Sequence, residues 1–188
     1  MATLHIFDFD DTLITSDSSV RITHADDSQE VITSEEFADY KEKSGDQFDF
    51  SDFDVYPANA QIIEEVFAAL RTAIALDGPG SVVILTARSN PKPVREFLKA
   101  HNIDGIEVRA TGSASPMAKA QYVLDRLKNE DFDAVEVFED NARNIRTIQK
   151  VVEPTGVRFK SNRVTRQGVI PATKNVKQEN YLRIISEM

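Results

Sequence analysis

The chain has 188 residues, of which 41% are hydrophobic, and carries a formal charge of −9; that length suits one domain with a proper core and room for a small insertion. It has no cysteine and no tryptophan, which excludes a disulfide framework, a thiol nucleophile and a cysteine-held zinc site. With only three scattered histidines, any metal is expected to sit on oxygen ligands.

The first predicted strand runs from Leu4 to Phe9 and leads into Asp8-Phe9-Asp10-Asp11-Thr12. Side chains alternate along a strand, so Asp8 and Asp10 are expected on one face, with Phe9 and Asp11 on the other. Two carboxylates so close repel, and each raises the other's pKa unless a cation intervenes. Mg2+, a hard ion that takes oxygen ligands, answers that need. The alternative is a solvated acidic turn after an edge strand.

Between Thr15 and Pro57 lies an insertion of another character. Val20-Arg21-Ile22-Thr23 and Glu30-Val31-Ile32-Thr33 flank the turn-rich Ala25-Asp26-Asp27-Ser28 and predict a hairpin. Thr33-Ser34-Glu35-Glu36 reads as a capping box for a short helix through Tyr40. The aromatic residues Phe48, Phe50, Phe53 and Tyr56 are expected to pack the insertion rather than to stack bases.

A parallel α/β rhythm then takes over. A helix is predicted from about Ala58 to Leu76, stopped by Gly78-Pro79-Gly80, and followed by the buried strand Ser81 to Thr86. Next come a helix from Pro91 to Ala100, a strand from Ile106 to Arg109, and a helix from Ser115-Pro116 to Lys128. Ser115 is expected to cap that last helix, and Met117, Ala120, Val123, Leu124 and Leu127 to form its inner stripe. A strand from Ala134 to Phe138, a helix from Ala142 to Val152 and a strand near Gly156 to Phe159 complete the predicted core. The segment 160–188 is left as a basic tail without predicted structure.

In open α/β sheets ligands bind at the carboxyl ends of the strands. Asp8 and Asp10 stand at the first such end, Thr86 at the second, Lys119 in the first turn of the helix after the third, and Glu139-Asp140 at the fourth. Together they outline a phosphoryl-transfer site: a carboxylate to attack phosphorus, a metal and a lysine to neutralise the oxygens, and a hydroxyl to orient the group. Each has a plainer reading, Thr86 as a strand end, Lys119 as a solvated helix residue and Asp140 as a helix cap. Arg88 and Arg143 are expected on the surface.

The four segments Asp8-Phe9-Asp10-Asp11-Thr12-Leu13, Leu85-Thr86-Ala87-Arg88, Pro116-Met117-Ala118-Lys119 and Glu139-Asp140-Asn141 resemble, in order, the motifs of the haloacid dehalogenase superfamily of phosphohydrolases. The resemblance covers residues 4 to about 150. It implies a Rossmann-like parallel sheet with helices on both faces, residues 1–188 as a single domain, and residues 15–57 as a small cap inserted within it. It further implies Asp8 as nucleophile, Asp10 as the acid that protonates the leaving alkoxide and then activates water, and Thr86 and Lys119 on the phosphoryl oxygens. Mg2+ would be held by Asp8, the carbonyl of Asp10 and Asp140, with Glu139 or Asn144 contributing through water.

A receiver domain would carry its phosphoacceptor later in the chain, a P-type ATPase would need membrane helices, and a dehalogenase would lack Asp10. The expected activity is therefore hydrolysis of a phosphomonoester, with phosphotransfer through the same intermediate, or a binding role for the scaffold alone, as alternatives. A second cap site, around Thr111 to Ser115, is almost empty, so the expected partner is a phosphorylated small molecule or the 3′-end of a nucleic acid. Acids dominate the segment from Asp17 to Asp54, whereas Arg158, Lys160, Arg163, Arg166, Lys174, Lys177 and Arg183 make the end of the chain basic. These read as two solvated surfaces, or else as a path for a polyanion. No stretch approaches the roughly 20 apolar residues of a membrane span, and no basic leader precedes the first strand, so a soluble, cytoplasmic protein without a membrane partner is the expectation.

Overall fold

The apolar run ahead of the first aspartate becomes the centre of the molecule because both of its faces are covered. The computed structural model describes residues 2–57, 59–165 and 168–172. Strand β1 (Thr3–Phe7) is followed by the short β2 (Ile14–Thr15), the hairpin strands β3 (Ser19–Thr23) and β4 (Gln29–Thr33), helix α1 (Ser34–Asp39), β5 (Gln47–Asp49) and the short β6 (Gln61–Ile62). The core resumes with α2 (Glu64–Asp77), β7 (Val82–Thr86), α3 (Lys92–Ala100), β8 (Glu107–Ala110), α4 (Pro116–Asn129), β9 (Ala134–Glu139), α5 (Ala142–Val152), β10 (Arg158–Thr165) and β11 (Gly168–Ala172).

Six of these strands form one sheet in the order β11-β10-β9-β1-β7-β8, parallel except for β11. Strand alternation divides the core into two layers. Phe7, Val82 and Ile84 pack against Val66, Phe67 and Leu70 of α2 and Val94, Phe97 and Leu98 of α3. Leu4, Ile6, Val83, Leu85, Val135 and Val137 pack against Ala120 and Val123 of α4 and Ile148 and Val152 of α5. This is an α/β fold with a mostly parallel sheet between helices, compatible with a Rossmann-like core. Among the described residues no helix is long and apolar enough to cross a membrane.

The insertion forms its own antiparallel sheet, β4-β3-β5. The predicted hairpin is there, and so is the capping box, with Thr33 Oγ1 accepting from Glu36 N and the Glu36 carboxylate accepting from Thr33 N. The third strand, Gln47–Asp49, pairs with Arg21 to Thr23 and was not predicted; three residues of mixed polarity carry too little periodicity to reveal a strand.

Several expectations are corrected. The helix predicted from Ala58 begins at Glu64, because Gln61 and Ile62 pair with Thr15 and Ile14 as β6, and Ile63 N donates to Leu13 O at 2.9 Å; Ala58 itself lies outside the described residues. Ile62 fits the helical stripe, but long-range pairing decides its conformation. Ser115 precedes α4 without a side-chain cap bond, and Met117 is 53% exposed rather than part of the inner stripe.

The strand predicted to end at Phe159 continues to Thr165, pairing with β9 through polar positions such as Ser161 and Asn162. Both are buried, and Asn162 Nδ2 donates to Glu136 Oε1 at 2.9 Å, so the run is polar yet internally satisfied. Of the basic tail, Lys160 pairs with Glu136, and Arg163 Nε donates to the Asp140 carbonyl at 3.3 Å. Arg166, Lys174, Lys177 and Arg183 lie outside the described residues.

His5 is the one titratable side chain of β1, with Nε2 2.7 Å from Asp77 Oδ2 and Nδ1 3.2 Å from Glu136 Oε2, the latter a charge contact rather than a directed hydrogen bond. Burial opposes the imidazolium, but Glu136 and Asp77 outweigh it and the His5 pKa is raised above 6.5. The contact with His5, ahead of the hydrogen bonds from Lys160 and Asn162, overcomes burial and holds the Glu136 carboxyl at about 2, against an ordinary 4.5. The His5 contribution is therefore complete below pH 6.5 and lost as pH rises through the raised value. The Glu136 contribution is complete above pH 4.5 and lost as pH falls towards about 2. Thermal unfolding across pH is expected to show His5→Gln flattening the alkaline limb of the stability curve; an unchanged limb would assign no linkage to His5.

Candidate active site

The site lies at the carboxyl ends of β1, β7 and β9, where the crossovers leave the central strand in opposite directions. Asp8 N donates to Phe138 O at 3.0 Å, so the β1–β9 pairing carries Asp8 to the sheet edge. There the chain turns: Leu13 N and Ile14 N both donate to Phe9 O, and Asp11 takes a φ of +56°. The left-handed step ends strand alternation. Phe9 is buried in the core, but Asp11, expected on the same side as Phe9, instead lines the cleft with Asp8 and Asp10 and accepts a hydrogen bond from Ser34 Oγ at the start of α1.

Lys119 stands in the first turn of α4, 3% exposed, and its Nζ donates to Asp8 Oδ1 at 2.7 Å and to Glu139 Oε2 at 2.7 Å. It is not a solvated helix residue. Glu139, at the end of β9, is 2% exposed and also accepts from Asn144 Nδ2 at 3.0 Å and Asn141 N at 3.2 Å. Asp140 follows; it does not cap α5, a role taken by Asn141, whose Oδ1 accepts from Arg143 N. Asp140 is instead clasped by Thr12, whose Oγ1 accepts from Asp140 N at 3.1 Å and donates to Asp140 Oδ1 at 3.4 Å. Thr86 ends β7 fully buried, lines the same cleft, and accepts from Arg88 N at 3.2 Å.

Carboxylate oxygens of Asp8, Glu139 and Asp140 all lie within 4.8 Å of one another. Three acids share one ammonium. Burial first, and then the charge of Glu139, raise the pKa values of Asp8 and Asp140 despite Lys119. Burial opposes the Lys119 charge, yet Asp8 and Glu139 more than compensate, so its pKa is raised. Such a crowded all-oxygen set matches the donor preference of a hard divalent cation, which would bring positive charge where one lysine is insufficient. The side chain of Asp10 is not in this group; the atom expected to meet a metal was its carbonyl oxygen.

The Asp10 carboxylate has another partner. Arg88 Nε and Nη2 donate to Asp10 Oδ2 and Oδ1 at 2.8 and 2.7 Å, a bidentate pair, while Nη1 donates to Phe53 O at 2.7 Å. Its guanidinium lies 5.2 Å from the Phe9 ring centroid and 5.3 Å from that of Phe53. Arg88, expected on the surface, is 4% exposed because the β1–β7 neighbour relation brings two strand ends together. Its position two residues beyond a strand-terminal threonine was the only sequence signal. Arg143 is exposed, as expected, though it lines the rim.

These groups line a cleft of about 430 Å³ whose lining also includes Val20, Phe37, Tyr40, Phe48, Phe50 and Phe53 of the insertion. Phe48 and Phe53 do pack the insertion, over Val20, Ile22 and Ile32, and Phe50 packs against the rings of Phe37, Phe48 and Phe53. Tyr56 departs from that group and meets Phe97 of the core at 6.1 Å. No family model matches the chain, and neither the curated proteins nor the solved structures compared with it include a match.

Proposed function

We propose that the protein is a Mg2+-dependent phosphomonoester hydrolase that works through an aspartyl-phosphate on Asp8, in the manner of the haloacid dehalogenase superfamily its motifs resemble. The observation that carries this reading is the buried Lys119 Nζ, 2.7 Å from both Asp8 and Glu139, at the head of a cleft that Thr86 and Asp140 also line. A solvated acidic turn would need no buried lysine, and a structural ion pair would not require a third carboxylate.

Asp8, Glu139 and Asp140 would hold the metal, with the carbonyl of Asp10 as the resemblance implies. When bound, the ion supplies charge that favours ionised Asp8 and offsets the phosphoryl oxygens. An Asp8 oxygen bonds to phosphorus as the phosphorus–alkoxide bond breaks, and the departing oxygen takes a proton from the Asp10 carboxyl. A water oxygen then bonds to phosphorus, its proton returning to Asp10, and the phosphorus–Asp8 bond breaks to free inorganic phosphate. Lys119 and Thr86 hold the equatorial oxygens throughout, and Arg88, which pairs with both Asp10 oxygens in the resting site, would release one of them when Asp10 carries the proton.

The test is Mg2+-dependent phosphate release from a panel of phosphomonoesters, including an aryl phosphate and 3′-phosphorylated oligonucleotides. No release by pure, folded, Mg2+-supplied protein would overturn the reading. The metal set has its own check in thermal unfolding. Asp140→Asn is expected to stabilise the metal-free protein by about 1 kcal/mol, by removing one of three mutually repelling acids, and to abolish the rise in Tm that Mg2+ gives the wild type. A Tm rise that survives in this variant would remove Asp140 from the ligand set.

A further inference from the structure

The insertion presents the cleft with a wall of rings. Phe37, Phe48, Phe50 and Phe53 line it together with Lys119 and Thr86, with centroids 5.2 Å apart for Phe37–Phe50, 5.4 Å for Phe37–Phe48, 6.1 Å for Phe48–Phe50 and 6.4 Å for Phe50–Phe53. Phe37, Phe48 and Phe53 also pack on Val20, Ile22 and Ile32, so the small core of the insertion accounts for them. Phe50 meets those rings yet stays the most exposed of the four. Phe50 is 41% exposed while lining a concave site, which leaves its ring free to take a flat apolar group.

The wall is also fixed to the reacting end. Arg88 holds the Phe53 carbonyl with one nitrogen and both Asp10 oxygens with the other two, and Ser89 Oγ donates to Asp54 Oδ1 at 2.9 Å. One planar, buried guanidinium thus sets the spacing between the rings and the Asp10 carboxylate. Elsewhere the lining sets Asp11 and Glu42 against the exposed Arg143, a negative balance that disfavours a second anionic group on whatever occupies the cleft. Its volume of about 430 Å³ is that of a site for a small molecule.

We infer that the leaving group is an uncharged alcohol bearing a flat aromatic ring, which lies against Phe50 and Phe37 while its phosphoryl group meets Lys119 and Thr86. The inference rests on the phosphomonoesterase reading and narrows its substrate class. Benzyl and ethyl phosphate, both esters of primary alcohols, separate ring recognition from the gross reactivity difference between aryl and alkyl esters. With Mg2+ present, kcat/KM for benzyl phosphate is expected to exceed that for ethyl phosphate at least tenfold. Phe50→Leu, which keeps apolar bulk without the flat ring, is expected to shrink that ratio at least threefold, mainly through KM, and Phe50→Tyr to keep it. Benzylphosphonate, titrated calorimetrically, is expected to bind about tenfold more tightly than ethylphosphonate, with the gap narrowing in Phe50→Leu. Thymidine 3′- and 5′-phosphates in the same assay identify the ring: turnover matching benzyl phosphate assigns it to a nucleobase, and a preference for benzyl phosphate to another arene. Equal efficiency for benzyl and ethyl phosphate, or a ratio untouched by Phe50→Leu, overturns the inference while Asp8-dependent turnover leaves the hydrolase reading standing. If no member of the wider phosphomonoester panel is hydrolysed either, the hydrolase reading fails, and equal binding of the two phosphonates then removes the ring subsite as well.

Discussion

Asp8→Asn is expected to lower phosphate release at least 10³-fold without lowering Tm. The amide cannot form the aspartyl-phosphate, so the loss falls on kcat, where removal of a covalent nucleophile is felt. The fold should tolerate the change because an amide oxygen still accepts from Lys119, whose other bond, to Glu139 at 2.7 Å, is untouched. One of three crowded acids also disappears, which favours the metal-free protein. Steady-state assays with Mg2+, paired with thermal unfolding, check both halves. Wild-type activity in the variant would exclude Asp8 as nucleophile, whereas a large fall in Tm would mean that the Asp8 charge itself stabilises the site.

Lys119→Met should produce the largest loss of stability, about 3–5 kcal/mol at neutral pH, the range for removing one partner of a buried ion pair. Methionine fills most of the volume of the lysine stem but leaves Asp8, Glu139 and Asp140 with no ammonium among them. Burial and the Glu139 charge already raise the Asp8 and Asp140 pKa values with lysine in place; without it the ionised forms are penalised further. A raised carboxyl pKa in the fold means that stability falls as pH rises through the raised value, so the deficit should deepen from acidic to alkaline pH. Urea unfolding at several pH values, with and without Mg2+, measures it. Mg2+ is expected to recover part of the loss, because a cation would reoccupy the centre of the acidic group. A deficit below about 1 kcal/mol would show that the acids protonate or find other partners without the lysine.

The sheet and the helices on its two faces were legible because their signals are local. Val82 to Thr86 is apolar and β-branched enough to be buried on both faces, and Ile145, Ile148 and Val152 repeat at helical spacing. The order of Asp8, Thr86, Lys119 and Glu139-Asp140 along those elements was equally visible, and parallel topology brings consecutive strand ends to one edge. Lys119 meets Asp8 across 111 positions of sequence for that reason.

Where a residue's surroundings come from distant chain, the local pattern misled. Ile62 suits a helix but pairs with Ile14 as a strand, since hydrogen bonds offered by a neighbouring segment outweigh a weak local preference. The run Lys160 to Arg163 looks solvated, yet it forms an inner strand because Glu136 and the backbone of β9 satisfy its polar groups. Arg88 looks like surface charge; the β1–β7 contact instead places it between Asp10 and Phe53.

Asp8, Asp10, Thr86, Lys119 and Asp140 were thus set out by the sequence, through residue type and the periodicity of the strands and helices that bear them. Tertiary structure alone decided the partners around them: Arg88 as the clamp on Asp10, Thr12 as the clasp on Asp140, and the rings of the insertion in the lining of the same cleft. The physical reason is range. Backbone propensity and hydrophobic periodicity act over a few residues and can be read along the chain, whereas ion pairing and burial depend on distances that exist only once the sheet has formed.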